Sequence, residues 1–330
     1  MKIAFLVTGL DAPSARYRVL QYLPFLEKEG CISEVYMIPK KYWERIKLFR
    51  EMKNYDIVFL QKRLLNPVWG HILRKNSRRL IYDFDDAVMF RDSNKKNYSS
   101  GKRKNNFLRI VKNSDIIIAG NEYLKAFAVK ENPNTFIIPT SIDMDRYIER
   151  PSVVSSESVV LGWIGSSSTL SYLEKMKNVW DALYDRFSNV RLKIVADKFF
   201  DCDRIPVIKK QWRYEEEIDD LHSFDIGLMP LTDDPWSRGK CGFKLLQYMA
   251  VGIPAVCSPV GVNRTIVTDG VNGFWANDDA EWIEKIGALI SNDKLRLQMG
   301  KIARETVLKR YSVDIAIKQL LKLLNTLRKR

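Results

Sequence analysis

Arg238 and Lys240 flank Gly239 in a loop, residues 233–242 (DDPWSRGKCG), that runs straight into a helical stretch, Gly242 to Val251. Cations and bare backbone N–H groups gathered at a helix start attract anions by electrostatics alone. Lys244 lies in the first turn of that helix and shares a side with Gln247, three residues on. Arg238, Lys240 and Lys244 are therefore candidates for gripping a diphosphate, and Gln247 for hydrogen bonding a hydroxyl through its neutral amide. The alternative is three solvated cations, whose exposed charges contribute little. A second anion site is spelled by Gly165 followed by Ser166, Ser167, Ser168 and Thr169. Hydroxyls and N–H groups at a helix start suit phosphate oxygens, or simply cap the helix. A third cluster is acidic: Asp83, Asp85 and Asp86 close a strand. Two carboxylates in Asp-x-Asp spacing can hold a divalent cation. We read Asp85 instead as a strand-end carboxylate that binds or deprotonates a substrate hydroxyl, with capping of the next segment as the structural alternative.

Each cluster lies where an apolar run gives way to polar residues. Ile226 to Leu231 reads as a buried strand, Gly252 stops the helix, and Ala255–Cys257 is the next strand after Pro254. On the helix, Phe243, Leu246 and Ala250 form the inward face. Strand, loop, helix, strand is one turn of a parallel α/β sheet, where ligands bind beyond the carboxyl ends of the strands. The same alternation runs along the chain. Strands are expected at 2–8, 56–62, from Leu80, at 115–120, from Phe136, at 159–165, 190–196 and after the turn in 269–274, and helices at 15–29, 40–53, 215–224 and 311–330. The first strand–helix turn lacks Gly-x-Gly-x-x-Gly, so we discount a dinucleotide site there. Ser14, Arg16, Tyr17 and Arg18 in that turn are either substrate contacts or ordinary first-turn residues. Gly261, Val262 and Asn263 open a further helix with a free N-terminus. The expected division is a first domain over 1–150, a second over 151–310, a linker near 144–157, and a terminal helix, 311–330, crossing back toward the first domain.

The run Gln247-Tyr-Met-Ala-Val-Gly-Ile-Pro-Ala-Val256 resembles the nucleotide-sugar segment of the retaining GT-B glycosyltransferases of the group 1 (family 4) kind. Those enzymes carry Glu, seven residues, Glu, then Ala/Tyr-Met-Ala-x-Gly-x-Pro-Val. The resemblance implies an α/β GT-B fold, two Rossmann-like domains facing each other across a cleft, and transfer of a sugar from a nucleotide-sugar donor to a hydroxyl of a glycan or lipid-linked acceptor, as in cell-surface polysaccharide synthesis. It implies front-face transfer with retention, in which the leaving diphosphate helps take the acceptor proton and no nucleophile or metal cofactor is needed. Arg238 and Lys240, with Asp85 on the acceptor side, are then the catalytic candidates. Gly165, Ser166, Ser167, Trp212 near the base, Lys244, Gln247 on a ribose hydroxyl, Gly261, Val262 and Asn263 become donor contacts. The chain departs from the pattern at both acidic positions, which are Gly239 and Gln247, and at Thr265, where the family has Glu. The Gly165 loop also lacks the usual Arg and Lys. These departures keep two alternatives open: a catalytically altered glycosyltransferase-like binding protein, and a nucleotide-sugar epimerase on the same fold.

Composition bounds the rest. At 330 residues and 46% apolar, the chain suits two globular domains. No apolar run approaches 18 residues, so no span of a bilayer is expected, and the opening MKIAFLVTG reads as a first strand rather than a signal peptide. Four cysteines without a Cys-x-x-Cys pair point to a reduced, cytoplasmic protein without a zinc site. The net charge of +14 is uneven, with 28 Lys+Arg against 17 Asp+Glu in residues 1–150. A nucleic-acid partner is not expected, because no helix-turn-helix, zinc-finger, RRM or KH signature occurs. The basic stretch Lys40–Lys53 carries a stripe of Tyr42, Ile46 and Phe49 with Trp43 beside it. It either docks peripherally on an anionic membrane surface, at its inner face, or packs on its own sheet with snorkelling lysines.

Overall fold

The computed structural model describes residues 1–93, 95, 97–151 and 158–328. Two compact units emerge: unit 1 comprises Met1–Ser141, Asp234–Cys241 and Val313–Arg330, and unit 2 comprises Ile142–Asp233 and Gly242–Ser312. Part of the expected linker, residues 152–157, lies outside the described residues.

Unit 1 is built on strands β1 (Lys2–Val7), β2 (Ile32–Met37), β3 (Ile57–Gln61), β4 (Leu80–Phe84), β5 (Ile116–Ala119) and β6 (Thr135–Ile137). Every pairing is parallel, in the order β2-β1-β3-β4-β5-β6. Alternate residues of a strand point to opposite faces, and the core divides accordingly. Ile3, Phe5, Val7, Ile57, Phe59, Ile81, Ile116 and Ile118 face one apolar cluster, while Ala4, Leu6, Val58, Leu60, Tyr82, Phe84, Ile117 and Ala119 face another. The chain winds outward from β1 to β2 and then reverses to β3. That reversal is a topological switch point, the place where open parallel sheets take ligands.

Its helices are α1 (Pro13–Arg18), α2 (Leu23–Lys28), α3 (Tyr42–Glu51), α4 (Pro67–Lys75), α5 (Gly101–Asn113) and α6 (Glu122–Ala128). The single helix expected over 15–29 is broken at Val19, which leaves helical geometry at φ −133°. Pro24 is the cause, since its ring clashes with the carbonyl four residues back and it offers no N–H. Asn66, Ser100 and Asn121 start α4, α5 and α6 by accepting from the N–H three residues on. On α3 the buried stripe is Leu48 and Phe49, continued by Met52, rather than the expected Tyr42, Ile46 and Phe49. Trp43 is 78% exposed.

Unit 2 repeats the plan with β7 (Val159–Ile164), β8 (Val190–Ala196), β9 (Val207–Gln211), β10 (Ile226–Met229), β11 (Ala255–Cys257) and β12 (Gly273–Trp275). They pair in parallel in the order β12-β11-β10-β7-β8-β9. Counted from its own first strand this is 3-2-1-4-5-6, the doubly wound order, with its switch point between β7 and β10. The helices are α7 (Ser167–Glu174), α8 (Lys177–Arg186), α9 (Glu217–His222), α10 (Phe243–Ala250), α11 (Asn263–Ile266), α12 (Asp279–Ser291) and α13 (Asp293–Arg310). Instead of burying one face, α10 is covered from Leu245 through Ala250, because α13 packs on it opposite the sheet. Gly227 makes the close approach possible: a Cβ there would lie 2.3 Å from the Tyr248 ring. The chain returns to unit 1 as α14 (Val313–Arg328), whose Val313, Ala316, Ile317, Leu320, Leu324 and Leu327 complete the apolar cluster around Ile3 and Phe5.

Candidate active site

Both switch points carry the polar residues singled out above. At the carboxyl edge of unit 1, α1 delivers Arg18 to Asp83 at the end of β4. The guanidinium Nε donates to Asp83 Oδ2 at 2.8 Å, Nη2 donates to Oδ1 at 2.5 Å, and Nη1 donates to the Ile138 carbonyl at 3.0 Å. Both side chains are 2% exposed. Burial works against the guanidinium charge, yet the Asp83 carboxylate and its hydrogen bonds hold Arg18 above its ordinary value. Burial raises Asp83 as well, with Arg18 opposing it. We take the pair as ionised, because the forked contact satisfies both partners. Arg18 and Asp83 are thus a structural pair, with the guanidinium held against both Asp83 oxygens. At the end of β3, Gln61 is fully buried, and neither atom of its amide has a hydrogen-bond partner among the described residues.

Lys62 follows in the left-handed region, φ +60°, where a side chain is strained. Its N–H donates to the Asp83 carbonyl at 2.6 Å, and this sharp turn carries its ammonium back to the acidic cluster. There it pairs with Asp86 and lies 3.5 Å from Asp85 Oδ1. Lys240 Nζ donates to Asp86 Oδ1 at 3.3 Å. Burial alone would raise the Asp86 carboxyl, but Lys240 and Lys62 outweigh it and hold it at about 2. The loop 234–241 is therefore seated in unit 1. Asp234 Oδ1 accepts from the N–H groups of Trp236 and Ser237. Asn121 Nδ2 donates to the Lys240 carbonyl at 3.1 Å, and the Cys241 thiol donates to the Asp85 carbonyl at 3.1 Å. A Cβ on Gly239 would come within 2.5 Å of the Ala87 methyl. A side chain is excluded there, which explains why the first acidic position of the family pattern is glycine. Arg238 stays exposed. The structure thus brings Asp85 and Lys240 together through Lys62 and Asp86, while Lys244, the third cation, belongs to unit 2.

At the carboxyl edge of unit 2, Tyr248 ties the switch point together. Its hydroxyl accepts from Ile164 N–H and donates to the Leu228 carbonyl, each at 3.2 Å. Gly165 follows β7, and a Cβ on it would lie 2.7 Å from Lys244 Cε. Lys244 Nζ reaches Thr169 Oγ1 at 3.4 Å and lies 5.2 Å from the Trp163 ring centre. Gly165, the serine turn and Lys244 are thus neighbours. The Ser167 N–H and hydroxyl already donate to Asp197, at 2.6 and 2.8 Å, and these bonds hold the Asp197 carboxyl below its ordinary value. Asp197 is thus the carboxylate that takes the Ser167 N–H and hydroxyl.

The helix expected from Gly261 is a single turn, Asn263–Ile266. Asn263 N–H donates to the Val260 carbonyl and its Nδ2 to the Ser258 carbonyl, so its N-terminus offers less than expected. Val262 lies beside the start of α10, 3.2 Å from where a Cβ on Gly242 would be.

Gln247 and Trp212 are joined by residues that sequence reading missed. Gln247 Nε2 donates to Tyr147 Oη at 3.2 Å, Tyr147 Oη donates to Glu217 Oε1 at 2.6 Å, and Trp212 Nε1 donates to Glu217 Oε2 at 3.1 Å. Gln61 and Lys62 look like ordinary strand-end residues in sequence, Glu217 like a helix residue and Tyr147 like a linker residue, and only the fold gives them their partners.

Residues 159–292 match the family model of group 1 glycosyl transferases. This part of the chain is therefore similar to a group 1 glycosyltransferase domain. No curated protein matches its sequence. Among solved structures, HepE from Anabaena, in complex with UDP and glucose, superposes with a TM-score of 0.76 at 16% identity over 99% of this chain and 100% of that one. Sucrose-phosphate synthase from Thermosynechococcus elongatus gives 0.75 at 14% identity, with 99% of each chain covered. A TarM variant from S. aureus, in complex with fondaparinux, α-GlcNAc-glycerol and UDP, gives 0.66 at 14% identity over 86% of this chain and 58% of that one. At such identities the likeness is one of fold. The glycosyltransferase has the GT-B plan of two Rossmann-like units. Among the described residues no helix is long and apolar enough to cross a membrane.

Proposed function

We propose that this glycosyltransferase moves a sugar from a nucleotide-sugar donor to a hydroxyl of a glycan or lipid-linked acceptor, with retention, as family 4 enzymes do, in the synthesis of cell-surface polysaccharide. The observation that carries the reading is the meeting of Gly165, the serine turn, Lys244 and, one helical turn on, Gln247 at the switch point of unit 2. Negative charge grows on the diphosphate as the sugar departs, and positioned cations stabilise it. In unit 2 Lys244 has that role; in unit 1 Arg238 and Lys240 are the further cations proposed for catalysis, and Asp85 receives the acceptor hydroxyl. The donor is held without a divalent metal. In support, Arg18 already occupies both oxygens of Asp83. The chain works in the cytoplasm and docks at the inner face of the membrane through α3, where Trp43 and Tyr42 are exposed and Ile46, Lys47, Arg50 and Lys53 line a hollow of about 380 Å³.

A second reading, a donor-binding protein without transfer, is favoured by Gly239 pressed on Ala87 and by Asp197 at the serine turn. Calorimetry with UDP, ADP and GDP, with and without a chelator, tests donor binding. One nucleotide is expected to bind equally in both conditions, and binding that vanishes on chelation refutes the metal-free reading. Turnover of the matching nucleotide-sugar with an acceptor present separates the two readings. Lys244→Ala and Arg238→Ala are each expected to lower turnover tenfold or more, about 1.4 kcal/mol of transition-state stabilisation. Wild-type turnover and affinity in both folded variants would place the clamp elsewhere.

A further inference from the structure

Position 247 has lost the carboxylate that the family pattern carries there, yet it is anything but an idle surface residue. Gln247 is 3% exposed, Tyr147 is fully buried and Glu217 is 2% exposed. The direction of the hydrogen bonds between them is fixed by chemistry. Trp212 Nε1 and Arg146 Nη2 donate to Glu217, at 3.1 and 3.4 Å, and neither can accept. Glu217 is therefore the acceptor at the end of the chain, and the one phenolic proton of Tyr147 points at its Oε1 over 2.6 Å. With that proton committed, the Tyr147 oxygen can only accept from Gln247. The –NH2 of the amide must face Tyr147, at 3.2 Å, and a flipped amide would set two acceptors against each other. The other branch of the amide, Oε1, is left as a hydrogen-bond acceptor.

We propose that Glu217 and Tyr147 are positioning residues that lock the Gln247 amide with its carbonyl oxygen turned away from Tyr147, so that a neutral side chain accepts a ribose hydroxyl of the nucleotide donor. The inference rests on the donor-site reading above. It also states why glutamine is required. A carboxylate at 247 would need a proton from Tyr147 that Glu217 already takes, and two carboxylates would compete for one donor in a buried site. The acid has not been lost from this region. It stands on α9, one phenol away from α10, and acts through the tyrosine.

The test is calorimetric binding of UDP, ADP and GDP and of the 2′-deoxy and 3′-deoxy forms of whichever binds, to the full chain and to folded variants checked by thermal unfolding. The wild type is expected to prefer the ribonucleotide about tenfold over one deoxy form, near 1.4 kcal/mol. Tyr147→Phe should shrink that preference below about threefold while leaving affinity for the deoxy form unchanged, a split that a merely structural role would not produce. Gln247→Glu alone should bind the ribonucleotide about tenfold more weakly, and the exchange Gln247→Glu with Glu217→Gln should restore it to within about threefold. Equal losses for ribo and deoxy forms in Tyr147→Phe, or undiminished binding by Gln247→Glu alone, overturn the inference while leaving the donor site standing. A wild type that binds none of the three nucleotides removes the donor-site reading, and the inference with it.

Discussion

At the carboxyl edge of unit 1, Arg18, Lys62 and Lys240 meet Asp83, Asp85 and Asp86, three cations against three carboxylates, the Arg18–Asp83 pair buried and the other four part-buried. At the same edge of unit 2, the contacts are between serine hydroxyls, a phenol, an amide, an indole N–H, the Arg146 guanidinium and two carboxylates that act as acceptors. The two sheets have nearly the same topology, so the difference lies in the side chains and not in the fold. The first edge is charge-balanced, and its pairs fix the position of a loop, 234–241, borrowed from the middle of the chain. The second is ordered by the direction of individual protons. Removing a partner from a buried ion pair leaves an uncompensated charge and costs about 3–5 kcal/mol, whereas a single hydrogen bond to a carboxylate such as Glu217 contributes about 1.5–3 kcal/mol. The ion pairs of the first edge therefore contribute more to stability than the single hydrogen bonds of the second.

The sharpest way to break this contrast is Arg18→Ala. Leaving Asp83 buried without its fork is expected to cost about 3–5 kcal/mol in denaturant unfolding, whereas Tyr147→Phe, which removes one hydrogen bond to the Glu217 carboxylate, should cost about 1.5–3 kcal/mol. Similar losses for the two would show that the edges do not differ as described.

A smaller effect separates Asp86 from the rest. Its folded-state value, about 2, lies below that of an unfolded aspartate, about 3.9. Its contribution is therefore fully present above pH 4 and disappears as pH falls toward 2, on the order of 2 kcal/mol. Asp86→Asn should flatten the stability profile of the folded chain in that window only. A variant profile parallel to the wild type between pH 4 and 2 would show that Lys62 and Lys240 do not hold the carboxyl down.

The smallest effect on stability should come from Trp43→Ala, within about 0.5 kcal/mol, because the ring is mostly exposed. The same variant should lose flotation with anionic liposomes, and neutral liposomes should float neither protein. Unchanged flotation, or equal flotation with both lipids, would take the membrane out of the proposal.

Much of this was legible before folding. Apolar runs ending in turn residues located ten of the parallel strands, and the stretch after Gly242 marked the donor-side helix. Strands β2 and β9 were missed because each lies at a sheet edge and is largely half-exposed or exposed, so neither has a buried apolar run. Helices α12 and α13 were missed although Asp278 and Asn292 cap them, accepting from Glu281 and Leu295 N–H. The candidate sites were legible as residue types but not as partnerships. Lys240 was visible as a cation, while its attachment to Asp86 spans 154 positions. Ser167 was visible as a phosphate contact, while Asp197, which takes its N–H and hydroxyl, comes from the next strand–loop junction. Gly239 looked like a lost acid; the Ala87 methyl makes it a steric requirement.

The last helix has a consequence for how the chain is made. Unit 1 holds its first 141 residues, yet the apolar face formed by Ile3, Phe5, Ile81 and Ile118 is completed by Val313, Ile317, Leu320 and Leu324. A ribosome adding about 5–20 residues per second takes on the order of 10–30 s to pass from Ser141 to Val313. During that interval the nascent first sheet has its strands in hand but one flank uncovered, and the loop bearing Lys240 arrives part-way through. Unit 2 depends on no later segment than Ser312, so the half of the molecule translated second is the first to have all its parts. Ribosome-associated chaperones would find their binding site on the older half, on the face that α14 finally closes.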